Sequence, residues 1–250
     1  MLIKTLNIYS LAIYLFNFIF QINQMKKIVF LSLLVISILT SCAKENASDV
    51  NQDKIYTDYE VFYNQNTDKT WVVAKFRFGG PTGTILELDS TSYVTFNGDT
   101  LTYNPLYTGH FKEYAGRITS GSFKYENVAG QIFINSIPAV DVIAFASDFD
   151  TLKKTQAQTI TWVGTPLSND EAVGILIGNG AWGQAALALQ DLDGATNIVL
   201  GIPQMTSLSV GNSTVYMDRQ HELNVIEGTM KGGRIRAKYR ALNKMVQIIN

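Results

Sequence analysis

From about residue 57 to its C-terminus the chain alternates apolar and polar residues in short runs, and this period of two constrains the fold more than any other feature. Tyr59, Val61 and Tyr63 alternate with Glu60, Phe62 and Asn64. In the run Trp71 to Phe78, Lys75 and Arg77 fall on one face and Ala74, Phe76 and Phe78 on the other. Gly79-Gly80-Pro81 ends that run, and Ile85 to Leu88 resumes the pattern. Tyr93 to Phe96 and Leu101 to Tyr103 flank Asn97-Gly98, two residues that tolerate positive φ and so predict a hairpin. Gly121 to Tyr125 and Gln131 to Ile137 predict a second hairpin around Glu126 to Gly130. No stretch after Cys42 keeps an amphipathic helical period for three turns. The expected class is all-β.

The second half echoes the first in order, at an offset of about 112 to 115 residues. Val173, Ile175 and Ile177 follow Tyr59, Val61 and Tyr63, and Ala185 to Gln190 follows Val72 to Arg77. Gly211-Asn212 follows Asn97-Gly98, and Gly233 to Lys238 follows Gly121 to Glu126. A duplicated β-domain would give this order, though alternating strands with Gly and Asn turns look alike in any all-β chain. Two further strand-like runs, Val140 to Ala146 and Thr159 to Val163, lie between the halves. In the latter, Trp162 resembles the buried core tryptophan of immunoglobulin-like sandwiches, without the cysteine pair of antibody domains. That resemblance implies tandem sandwiches over 58–137 and 138–250, divided near Ile137-Pro138, with one larger fused sandwich as the alternative.

The start of the chain carries an address. Met25-Lys26-Lys27 is a positive head, Ile28 to Leu39 is apolar apart from Ser32 and Ser37, and Leu39-Thr40-Ser41-Cys42 closes it. The apolar run is too short to cross a bilayer as a helix, which takes about 20 residues. The closing four residues resemble the lipobox of Gram-negative bacterial lipoproteins. The resemblance implies diacylglycerol on the Cys42 thiol, cleavage before it, and, because Ala43 rather than Asp follows, delivery to the outer membrane. Whether it faces periplasm or cell surface stays open. Residues 1–41 would combine this signal with a mis-assigned upstream extension, translation starting at Met25, the alternative being an additional membrane segment; a precursor mass beginning at Met1 would overturn the first reading. The polar stretch 42–57 is expected to be a flexible tether.

The lone cysteine would be taken by lipid, so the expected domains stand without disulfides. Of 20 basic residues, Lys4, Lys26 and Lys27 lie in the leader, leaving 17 against 21 acidic ones and a net charge of −4. That argues against nucleic acid as a partner. Catalytic groups are sparse, and no cofactor is implied. His110 and His221 sit in polar, loop-like sequence. Asp191-Leu192-Asp193-Gly194 is a weak metal candidate, because the later ligands of a calcium loop are absent and Asp-Gly equally closes a turn.

Two features remain as binding candidates. Trp182 lies in the glycine-rich loop Gly178 to Gly183, where it either plugs the end of a sandwich or stacks on a sugar or protein. Arg234, Arg236, Lys238 and Arg240 share one face of a strand whose other face is Ile235, Ala237 and Tyr239. They are either a solvated face that guards a sheet edge or a site for an anionic ligand. Three functions compete. One is a lipid-anchored, non-catalytic envelope module binding a glycan or protein. Another is a fimbrial-type subunit joined by strand exchange. The third is a carbohydrate-active enzyme using two of Asp148, Asp150, Glu171, Asp191 and Asp193.

Overall fold

The structure is a computed structural model that describes residues 44–89, 91–178 and 184–250. Cys42 and Trp182 lie outside the described residues. From Lys44 to Asn250 the chain forms one compact unit. It is all-β apart from short 3-10 turns and the single-turn helix α1 (Ile202–Met205).

The first half contributes β1 (Glu45–Asn46), β2 (Ile55–Asn64), β3 (Lys69–Phe78), β4 (Thr84–Glu87) and β5 (Tyr93–Phe96). It continues with β6 (Asp99–Thr100), β7 (Thr102–Asn104), β8 (Gly109–Ala115), β9 (Ser122–Glu126) and β10 (Ile132–Ser136). The second half adds β11 (Ile143–Phe145), β12 (Thr151–Lys153), β13 (Gln158–Gly164), β14 (Glu171–Gly178) and β15 (Ala185–Gln190). Last come β16 (Asn197–Leu200), β17 (Gly211–Asn224), β18 (Gly233–Arg240) and β19 (Lys244–Ile249).

One 12-stranded sheet runs in the order β1-β4-β3-β2-β18-β17-β14-β15, with β7, β8, β12 and β19 attached beside it. Two smaller sheets, β10-β9-β5-β6 and β11-β13-β16, complete the fold. The inward face of β2 and β3 meets the first of these in an aromatic core. Tyr59 stacks on Phe123 at 4.5 Å, and Phe76 lies 4.6 Å from Tyr125. A second core joins Val173, Ile175, Val215 and Met217 of the large sheet to Ile160, Trp162 and Ile198 of the other. Trp162, expected to be buried, is 4% exposed there.

The large sheet passes straight through the division expected at Ile137-Pro138. β18, from the C-terminal half, pairs in parallel with β2, from the N-terminal half, and its Ile235 belongs to the first core. The hairpins β2–β3 and β14–β15 occupy matching places in the repeat, but later pairings diverge. β9 pairs with β10, whereas β18 and β19 each pair with β17. Gly211-Asn212, the echo of a hairpin turn, instead opens the 14-residue β17. At Asn97-Gly98 the expected hairpin forms, with φ of 50° and 88°.

The β2–β18 seam is close. A Cβ on Gly233 would overlap Thr57 Oγ1 and the Thr57 carbonyl oxygen, and the backbone atom has nowhere to go. Gly233→Ala is expected to destabilise the fold by roughly 1–3 kcal/mol, measured as a lower urea midpoint at unchanged slope. An unchanged midpoint would mean that the seam yields freely.

The stretch expected as a tether is folded from Glu45 onward. β1 pairs in parallel with β4, Ala47 is wholly buried, and Val50 packs on the first core. Gln52 Nε2 donates to the carbonyls of Ala47 and Val50, closing the short turns that polar residues alone do not reveal.

The second core holds one charged pair. Arg219 on β17 is 1% exposed, and all five of its N–H groups are used. Nε and Nη2 donate to Glu171, Nη1 to the carbonyl and hydroxyl of Thr165, and Nη2 also to the Pro166 carbonyl. Glu171 in turn accepts from the Ser168 N–H and hydroxyl.

Candidate functional site

The outward face of the large sheet carries a groove of about 420 Å³. Its floor is built from alternate residues of four neighbouring strands: Trp71, Val73 and Lys75 of β3, Asp58, Glu60 and Phe62 of β2, Arg236, Lys238 and Arg240 of β18, and Asp218 of β17. One wall is the loop from Pro105 to Thr108 between β7 and β8, which contributes Leu106, Tyr107 and Thr108. The loop turns tightly, with Leu106 N–H donating to Asn104 Oδ1 and Thr108 at a φ of 48°. Gly109 then lets the chain pass against β3, since a Cβ there would stand 2.8 Å from Lys75 Cγ and 2.9 Å from the Ala74 oxygen.

Three of the four basic residues singled out by their spacing line this groove, and Arg234 continues the row along β18. β18 is a central strand, so these residues guard no sheet edge. They also do not form a row of free positive charge. Arg236 reaches Glu60 at 2.6 Å, Glu222 at 3.0 Å and Asp58 at 3.1 Å. Arg234 holds Asp58 at 2.9 Å, and Lys238 holds Glu60 at 3.0 Å. Arg240 grips both oxygens of Asp218, at 2.6 and 2.7 Å, and lies over the rings of Phe62 and Tyr216. Burial would raise the Glu60 carboxyl, but the charges of Lys238 and Arg236 outweigh it and hold its pKa below the ordinary value. The Arg240 guanidinium is raised by its bonds to Asp218.

Beside this lattice two aromatic rings are held in place. Trp71 Nε1 donates to Glu113 Oε2 at 2.9 Å. Tyr107 stacks on Phe111 at 4.1 Å and stands 6.0 Å from Trp71. Neither ring stood out in the sequence as a ligand contact. Period-two patterning places Trp71 on the face opposite the core, but it does not show that a loop 35 residues later folds over it.

The remaining sequence candidates are dispersed. Asp191 and Asp193 lie on the connection between β15 and β16, which belong to different sheets, so the Asp-Gly turn closes no hairpin. Ala195 N–H donates to the Leu192 carbonyl there, and Gly194 has a φ of 77°. Asp148 lines a separate cavity of about 240 Å³ that includes none of Asp150, Glu171, Asp191 and Asp193. Glu171 is occupied by Arg219. Among the described residues no group of three or more His, Cys, Asp or Glu side chains stands together as metal ligands, and no helix is long and apolar enough to cross a membrane.

Both histidines are on strands rather than in loops. His221 Nδ1 contacts the Ala139 carbonyl at 2.7 Å. His110 is 4% exposed on β8, between the rings of Phe76 and Tyr103, and its Nε2 accepts from the Leu88 N–H. Burial pushes its pKa down to about 4, against a smaller opposing pull from Glu87.

No family model matches the chain, and no curated protein matches it. Solved structures similar to it include two from large adhesins. One is a tetra-tandem repeat in the extending region of a large adhesion protein, at 12% identity and a TM-score of 0.23 over 76% of this chain and 49% of that one. The other comes from work on host cell surface retention of a 1.5-MDa bacterial ice-binding adhesin, at 9% identity and a TM-score of 0.23 over 78% and 65%. The chain thus spans about half of the first and just under two thirds of the second. At that TM-score neither likeness carries an argument about fold or function.

Proposed function

We propose that this chain is a non-catalytic recognition module of the bacterial cell envelope, anchored at the outer membrane by lipid on Cys42, that binds a glycan in the groove on its large sheet. The observation that carries the ligand is the pairing of two fixed aromatic rings, Trp71 and Tyr107, with a floor of hydrogen-bonding charged groups. Aromatic faces suit the apolar face of a sugar ring, and fixed polar groups suit its hydroxyls. The charged groups favour binding over catalysis. A general acid needs a carboxyl raised toward neutrality, whereas Glu60 is held below the ordinary range by its cations. The two halves are most simply duplicated sandwich units whose large sheets have fused through β2 and β18. The anchor follows from the lipobox-like Leu39-Thr40-Ser41-Cys42.

A glycan array probed with the purified full chain tests the ligand. Trp71→Ala is expected to weaken any glycan found by tenfold or more, the scale of an interface hot spot, and Arg236→Glu to weaken it further by breaking the lattice. Glycan binding indifferent to Trp71 and Arg236 would move the site elsewhere. For the anchor, Cys42→Ser should release the protein from membranes; undiminished membrane partitioning would end that assignment.

A further inference from the structure

The groove has one charge left to satisfy, and we infer from it that the glycan is acidic. A sugar ring stacks on Trp71 and Tyr107, and the carboxylate of a neighbouring sugar is held by Lys75. This rests on the glycan assignment above and adds the chemical class of the ligand. Lys75 lines the groove on the same face as Trp71. In the ladder it stands opposite Asp58, its natural counter-charge. Both Asp58 oxygens are already taken, Oδ1 by Arg236 and Oδ2 by Arg234. Arg236 is matched by Glu222, Lys238 by Glu60 and Arg240 by Asp218. Lys75 is left without an ion-pair or hydrogen-bond partner among the described residues.

Its position selects the kind of anion. Lys75 and Trp71 are four residues apart on one strand, about 13 Å at the usual rise. A lone small anion on Lys75 would leave the aromatic rings unused. An oligosaccharide spans both, with one ring stacked and a charge farther along the chain. The carboxylates of Asp58, opposite Lys75 in the ladder, and of Glu60, two residues along the same strand, also disfavour a densely charged polyanion, whose remaining charges would meet them. A sugar with a single carboxylate per ring, such as a uronic acid, meets both conditions.

Calorimetric titration of the full chain in detergent with trigalacturonate, and with the uncharged galactose trisaccharide of the same linkage, tests this. The acidic trisaccharide is expected to bind at least tenfold more tightly, the scale of a charge-assisted hydrogen bond, and its advantage should shrink as salt is raised. Lys75→Gln should abolish that preference while keeping the neutral trisaccharide, and Lys75→Met should do the same with the aliphatic stem retained against Gly109. Trp71→Ala should weaken both ligands alike. Thermal midpoints of all variants would confirm that each is folded. A preference that survives both Lys75 changes overturns the carboxylate subsite. Equal affinity of the native chain for the two sugars overturns the acidic ligand but leaves the glycan groove standing. Binding of neither sugar overturns both.

Discussion

Replacing Arg219 by methionine is expected to destabilise the fold by about 3–5 kcal/mol, the usual result of stripping one partner from a buried ion pair. The side chain is 1% exposed and that of Glu171 5%, so no water stands ready to replace the bonds between them. Glu171 would keep a buried charge stripped of both bonds from its partner. The link between β13 and β14 would loosen as a result. Urea unfolding measures the loss. Combining Arg219→Met with Glu171→Leu should recover much of it, because two apolar groups replace two charges in a place already lined by the second core. A single change that costs less than about 1 kcal/mol would show that the pair is not structural. Acid should act on the same pair. Burial raises the Glu171 carboxyl, and the bonds from Arg219 and Ser168 more than reverse this, so its folded pKa is depressed. Its contribution is therefore present above the unfolded carboxylate range and fades as pH falls through the folded value.

His110 should make the fold acid-sensitive at a higher pH. The unfolded imidazole takes up a proton near 6.5, and the folded one not until about 4. Stability from keeping the ring neutral is complete above 6.5 and is lost as pH falls toward 4, by about 3 kcal/mol in all. Most of that loss, about 2 kcal/mol, falls above pH 5, where free carboxylates are still ionised. Unfolding free energies at pH 7, 6 and 5 test this. His110→Asn, which keeps an acceptor for the Leu88 N–H, should flatten the profile over that interval. An unaltered slope in the variant would assign the acid sensitivity to other groups.

The features legible in the sequence are those set by near neighbours. The Asn97-Gly98 hairpin needs only two residues that accept positive φ. The alternation of Arg234, Arg236, Lys238 and Arg240 with Ile235, Ala237 and Tyr239 is a property of one strand, and the structure buries the second set and leaves the first partly exposed. What those four meet was not legible. Asp58 and Glu60 lie more than 170 residues away and arrive beside them only because β2 and β18 pair in parallel. No local pattern specifies such a partner. His110 is misleading for a related reason: Gly109, Lys112 and Glu113 make its surroundings look wet, yet strand alternation turns the ring inward onto Phe76. Ala47 and Val50 are too few to announce a folded segment, and their burial depends on the edge that β4 offers.

That pinned segment sets how the molecule would respond to being pulled. Tension arriving from the N-terminal side meets β1 first, a strand of two residues, together with the ion pair between Lys44 and Glu87. β2 behind it is held along its length by β3 and from Thr57 to Asn64 by β18, deep in the sheet. The weak attachment should peel before the strong one shears. Its release would free residues 44–54, roughly 35–40 Å of extended chain, while the groove on β2, β3, β18 and β17 stays whole. The resting fold thus stores a short, recoverable length of slack at the point where a load would enter.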